Sequence, residues 1–189
     1  MVNIKKIFVC FLIFFALTAC ASSERQAYEV TRVIDGDSIK VKKIPTKEKV
    51  AENMQLAAEI INEVELNIRL LGIDAPEYSQ NPWGPKARDF LAGMINKKVF
   101  LEHDIVQFDK YGRTLAYVFN DDNKFLNLEM VKNGYATIFI TKTNRKYATE
   151  FKEAYSKARA ENLNIWDDEL GLKMSPYKYR QSQKKAKSK

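Results

Sequence analysis

The chain has 189 residues, 46% of them hydrophobic, enough for one domain with a sizeable core. Its two cysteines, Cys10 and Cys20, both lie near the N-terminus, so the body after them excludes disulfides and thiolate zinc sites. The formal charge of +7 sits at the ends: residues 20–172 carry 22 basic and 24 acidic side chains, which excludes a globule that is basic all over.

In chain order, Lys5 and Lys6 form a basic start to the apolar run Ile7 to Leu17. A helix needs roughly 20 apolar residues to cross a bilayer, so this run suits a signal segment instead. It ends in Leu17-Thr18-Ala19-Cys20, which resembles the lipobox of bacterial lipoproteins. That resemblance implies a signal peptide over 1–19, a diacylated Cys20 as mature N-terminus, and an exported protein anchored on the extracytoplasmic side of a membrane. Residues 20–26 read as a polar tether.

Tyr28 to Ile34 and Ser38 to Ile44 alternate apolar and polar residues and are rich in β-branched types, so they predict strands around the turn-prone Asp35-Gly36-Asp37. Residues 46–64 place Val50, Met54, Ala57, Ile61 and Val64 at helical spacing, predicting an amphipathic helix inserted before the third strand. Leu66 to Ile73, Val99 to Val106 and Thr114 to Phe119 predict three more strands, with His103 a packed or surface residue of the fourth. Pro85 to Asn96 predicts a helix with Ala87, Phe90, Leu91 and Met94 on one face. Asn127 is expected to cap a short helix, Leu128 to Lys132, that stops at Asn133-Gly134. Tyr147 to Asn162 is the longest predicted helix, burying Phe151, Ala154, Tyr155 and Ala158. Five strands and about three helices predict an α+β fold, a five-stranded barrel of the oligonucleotide-binding type over residues 27–172. The basic tail, 173–189, either follows phosphates or anionic lipid, or is a solvated end.

The residues with chemistry cluster by type. Asp35 and Asp37 are two apart, so on a strand they share a face. Asp74 and Glu77 flank Pro76, which keeps Ala75 out of helix and stiffens the segment. Arg69 precedes that segment, and Arg113 opens another strand. Carboxylates with a carbonyl and waters suit a hard cation such as Ca2+. Arginine forks match phosphate oxygens, and a spare carboxylate can accept a proton from water. Together these parts suit phosphodiester cleavage.

Val33-Ile34-Asp35-Gly36-Asp37-Ser38, Arg69-Leu70-Leu71-Gly72-Ile73-Asp74-Ala75-Pro76-Glu77, Asp109-Lys110-Tyr111-Gly112-Arg113 and Leu163-Asn164-Ile165-Trp166 occur in the order and contexts of staphylococcal nuclease-like domains. The sequence resembles that family from about Ala27 to Trp166. The resemblance implies a Ca2+-dependent nuclease acting on DNA and RNA, single strands favoured, as a monomer, and giving 3′-phosphate products. It implies that Asp37, Asp74 and the backbone carbonyl of Ala75 ligate Ca2+, with Asp35 supporting the ion's water shell. It casts Glu77 as general base, Arg69 and Arg113 as the phosphate pair, and Lys110 and Tyr111 as contacts to a terminal phosphate. Phe139 stands where the family stacks a tyrosine near the base, and Thr141 stands at a second such position and cannot stack. Two further departures are the long 46–64 segment and a shortened loop between Glu77 and Trp83. An inactive, nucleic-acid-binding barrel is the alternative; it would be expected to lack a ligand or an arginine, and this chain keeps them all.

Overall fold

Alternation of apolar side chains folds the chain from Ala27 to Asn120 into a closed barrel. The computed structural model describes residues 26–45 and 64–187. The barrel strands are β1 (Ala27–Asp35), β2 (Ser38–Lys43), β3 (Glu65–Leu70), β5 (Lys98–Glu102) and β6 (Thr114–Asn120). A short β4 (Gly72–Asp74) follows β3 directly, and β7 (Thr137–Phe139) pairs with it outside the barrel. Around the barrel the order is β1-β2-β3-β6-β5, closed by antiparallel pairing of β1 with β5. All contacts are antiparallel except β3 with β6.

Ile39, Val41, Ile68, Leu70, Val99, Ala116 and Val118 point into the barrel and are almost wholly removed from water. Each large aliphatic among them contributes about 1.5–3 kcal/mol by burial. The helices cover the remaining apolar surface. α1 (Trp83–Gly93) buries Trp83, Ala87 and Leu91, spaced four apart, with Pro85 in its first turn. α2 (Leu126–Lys132) buries Leu126, Met130 and Val131 and stops at Asn133-Gly134, where the amides of Gly134 and Tyr135 close back on Val131 and Met130. α3 (Ala148–Ala160) buries Phe151, Ala154 and Ala158, with Tyr155 partly covered. The last helix, α4 (Pro176–Lys187), follows a 3₁₀ turn at Asn164–Trp166.

Four expectations are corrected. The strand over 66–73 breaks after Leu70, because Gly72 adopts φ +81° and a Cβ there would collide with the Phe151 ring. The strand over 99–106 ends at Glu102: Asp104 turns away to accept from the Tyr117 hydroxyl and the Lys146 amide. His103 therefore lies exposed beyond the strand, its Nδ1 3.0 Å from the Leu115 carbonyl. Asn127 is no cap. It lies inside α2, fully buried, accepting from the Val118 amide and donating to the carbonyls of Leu71 and Ala116. Finally, the basic tail contains α4. The signal segment, Cys20 and all but the last residue of the expected 46–64 helix lie outside the described residues. Among the described residues, no helix is long and apolar enough to cross a membrane.

Candidate active site

The barrel register brings the distant motifs together. Ser38 pairs with Arg69 across β2 and β3, which sets Asp37 beside Arg69. The parallel pairing of Ile68 with Thr114 then brings Arg113, one residue before β6, to the same end of the barrel. β4 carries Asp74 away from Arg69 by only five residues, so the Asp-Ala-Pro-Glu segment folds back over that end. One cleft of about 820 Å3 results, and Asp35, Asp37, Arg69, Asp74, Glu77 and Arg113 all line it.

Arg69 is the hub. Its Nη2 lies 3.0 Å from Oδ2 of Asp37 and 3.3 Å from Oδ1 of Asp74, and it donates to the Ile73 carbonyl. Its Nη1 donates to the Leu70 carbonyl at 2.9 Å. Asp37 is fixed from a second side, since its Oδ2 accepts the Ala75 amide at 2.8 Å. Asp35 ends β1 and Asp37 lies in the turn, so the two do not lie along one strand, and the Asp37 amide donates to Oδ1 of Asp35. Gly36 is required between them: a Cβ there would meet those of Ala75 and Ala87 at 2.7 and 2.8 Å.

Crowding acids in a half-dry cleft raises their protonation. Burial pushes the Asp35 carboxyl up to about 7, and the charge of Asp37 adds to the effect. Burial also raises Asp74, with Arg180 and Arg69 opposing. Asp109 goes the other way. Burial alone would raise it, but donors from the Arg113 side chain and from the amides of Arg113 and Tyr111 hold it below the usual carboxylate range. Asp109 thereby shapes the turn that presents Lys110 and Tyr111, and its Oδ2 holds the Arg113 Nε at 2.8 Å.

All the residues singled out from the sequence for substrate contact reach the cleft wall: Lys110, Tyr111 and Phe139, with Tyr111 and Phe139 more than half exposed. Thr141 is there too. Sequence reasoning missed Phe108, an exposed ring in the same wall, and it missed α4 altogether. Arg180 of α4 places Nη1 2.9 Å from Oδ1 of Asp74 and 2.8 Å from Oε1 of Glu77, and Nη2 3.0 Å from Oδ2 of Asp74. The only sequence signal was the acid-free run of the tail.

The donor chemistry fits a hard cation. Asp37 and Asp74 aim oxygens at one shared nitrogen of Arg69, so they converge on a common point, and Ala75 is hydrogen-bonded to the first of them. Among the described residues no three acidic, histidine or cysteine side chains stand as a ready-made metal cluster. The guanidinium groups of Arg69 and Arg180 are the ion-pair partners of these carboxylates.

Known proteins share this framework. A family model described as staphylococcal nuclease homologue matches residues 67–168. The thermonuclease of Staphylococcus hyicus is 32% identical over 160 residues, 82% of this chain and 83% of that protein. The thermonuclease of Staphylococcus intermedius is 35% identical over 148 residues, covering 75% and 77%. Endonuclease YhcR of Bacillus subtilis is 29% identical over 165 residues, which is 80% of this chain but 12% of that protein. With the closed five-stranded barrel and its helices, these matches show that the chain belongs to the staphylococcal nuclease family.

Proposed function

We propose that the chain is a Ca2+-dependent nuclease that hydrolyses DNA and RNA phosphodiesters with little sequence preference, exported and held at a membrane through lipidated Cys20. The observation that carries the catalytic reading is the single cleft in which Arg69, Arg113, Asp37, Asp74 and Glu77 meet. Relatives bearing the names thermonuclease and endonuclease support it.

In this reading Asp37, Asp74 and the Ala75 carbonyl hold Ca2+, with Asp35 beside them. The ion, when bound, supplies positive charge to a phosphate oxygen and helps position the substrate. The chain's own residues do the rest. Arg69, anchored on the Leu70 and Ile73 carbonyls, is preorganised to donate to the phosphate as its charge grows. Arg113, a third exposed and held by Asp109, donates from the other wall. Glu77 accepts the proton of the attacking water as the new P–O bond forms. The bond to the 5′ oxygen breaks, and that oxygen takes a proton from solvent to leave as a hydroxyl. The phosphate stays on the 3′ side. Phe139 offers an exposed ring on which an unstacked base can lie, which favours single strands, and Lys110 and Tyr111 contact a terminal phosphate.

The test is digestion of single-stranded DNA by the purified chain, with Ca2+ and with excess chelator, alongside Glu77→Gln. Cleavage should require Ca2+, and Glu77→Gln should lose about 10²-fold or more, the usual scale for a general base. A folded wild-type protein that binds DNA without cutting it would sink the proposal in favour of a binding module. For the anchor, Cys20→Ser should move the protein out of the membrane fraction; retention there would refute lipidation.

A further inference from the structure

The C-terminal helix places a cation of the protein's own on the acidic side of the cleft. α4 carries five basic residues and no acidic one, and Tyr177, Arg180, Gln181 and Lys184, spaced along one helical face, all line the cleft. Arg180 takes both carboxylate oxygens of Asp74 and one of Glu77 in a forked contact. Asp74 is 4% exposed at its side chain, so its charge demands a partner, and Arg180 is one of two that supply it.

The rest of α4 buries little apolar surface. Pro176 is its one buried residue. Beyond Arg180, its approach rests on polar contacts: the Tyr179 hydroxyl to Oγ of Ser79, and just before the helix the Met174 carbonyl, which accepts from the Gln80 amide group. A helix with so little apolar burial stays in place mainly through its charge, and a competing cation can exchange it.

We infer that α4 is a built-in competitor of the catalytic cation: Arg180 caps Asp74 and Glu77 when no cation is bound and must withdraw for the cleft to work. This rests on the reading of Asp37 and Asp74 as cation ligands. A divalent ion requires the oxygens that Arg180 occupies, and a guanidinium beside that ion would be repelled by it. The contact also ties up Glu77, so the capped cleft lacks both a cation position and a free base. The capped form therefore lowers the apparent cation affinity by the fraction of molecules left uncapped. The same charge keeps the acid-rich cleft stable where calcium is scarce.

Calorimetric titration of Ca2+ into the full chain tests this, with Arg180→Gln, Arg180→Lys and Asp74→Asn alongside. Arg180→Gln should bind Ca2+ about tenfold more tightly than wild type, on the scale of ordinary coupling between sites. Arg180→Lys, which keeps the charge and loses the fork, should fall between, and Asp74→Asn should abolish binding. Thermal unfolding in chelator should show Arg180→Gln melting below wild type, with the gap closing in saturating Ca2+. Unchanged or weaker Ca2+ affinity in Arg180→Gln, with Asp74→Asn still abolishing binding, overturns the competition and leaves the calcium reading standing. Absence of Ca2+ binding in wild type and Arg180→Gln alike, or binding indifferent to Asp74→Asn, overturns both.

Discussion

Arg69→Ala should slow DNA cleavage at saturating substrate by about 10²–10³-fold, the loss that follows removal of one preorganised donor to a charged transition state. The geometry explains the scale. The guanidinium is anchored by two backbone carbonyls, of Leu70 and Ile73, so it is already oriented toward the cleft and needs little reorganisation during the reaction. Arg69→Lys should recover little, because a compact ammonium cannot reproduce the several directed contacts of a planar guanidinium fork. Arg113→Ala should cost activity on the same order with less loss of stability, since its ion pair among the described residues is with Asp109 and its side chain is a third exposed. Steady-state kinetics with circular dichroism on each variant would check this. Turnover within a few-fold of wild type in a folded Arg69→Ala protein would remove Arg69 from the mechanism.

The largest stability effect outside the aliphatic core is expected at Asn127, far from the sequence motifs that carry chemistry. Its amide group joins α2 to β6 and to the bend after β3, with no exposure to water. Asn127→Ala leaves the Val118 amide and the Leu71 carbonyl buried without that partner, while the Ala116 carbonyl retains the Leu71 amide. Two such groups cost about 3–5 kcal/mol together. Urea unfolding should show a lower midpoint at unchanged slope. A loss below about 1 kcal/mol would mean that water replaces the side chain.

Position of this bond also matters for function. Leu71 lies between Arg69 and Asp74, so loosening its carbonyl should spread the carboxylates that Arg69 gathers. Stability and activity are coupled there through the backbone, and the Asn127 variant should lose some activity even when folded.

Much of the fold was legible in the sequence because the signals are local. Alternation in Ser38 to Ile44 and in Thr114 to Phe119, and the helical spacing of Ala87, Phe90, Leu91 and Met94, act within one element and survive in the structure. The motifs Asp35-Gly36-Asp37, Arg69 to Glu77 and Asp109 to Arg113 also announced one site, since phosphate chemistry needs acids and arginines together. Other features depended on partners that no window of sequence contains. Gly72 breaks a strand because Phe151, in a helix many residues later, fills the space beside it. Asn127 reads as a cap by propensity, yet three backbone groups from other elements claim its side chain. β7 is three residues long and exists only because β4 offers it an edge.

The sequence by itself determined the family, the barrel and the motif residues that line the cleft, since periodicity and motif order are properties of the chain alone. Only the tertiary structure decided how the charges in that cleft are balanced. Arg69 reaches Asp37 through the register of β2 and β3, and Arg180 reaches Asp74 and Glu77 across more than a hundred residues of chain. Electrostatic pairing depends on distance in space, and nothing local to the tail, with its six lysines and one arginine, says which carboxylates that arginine reaches.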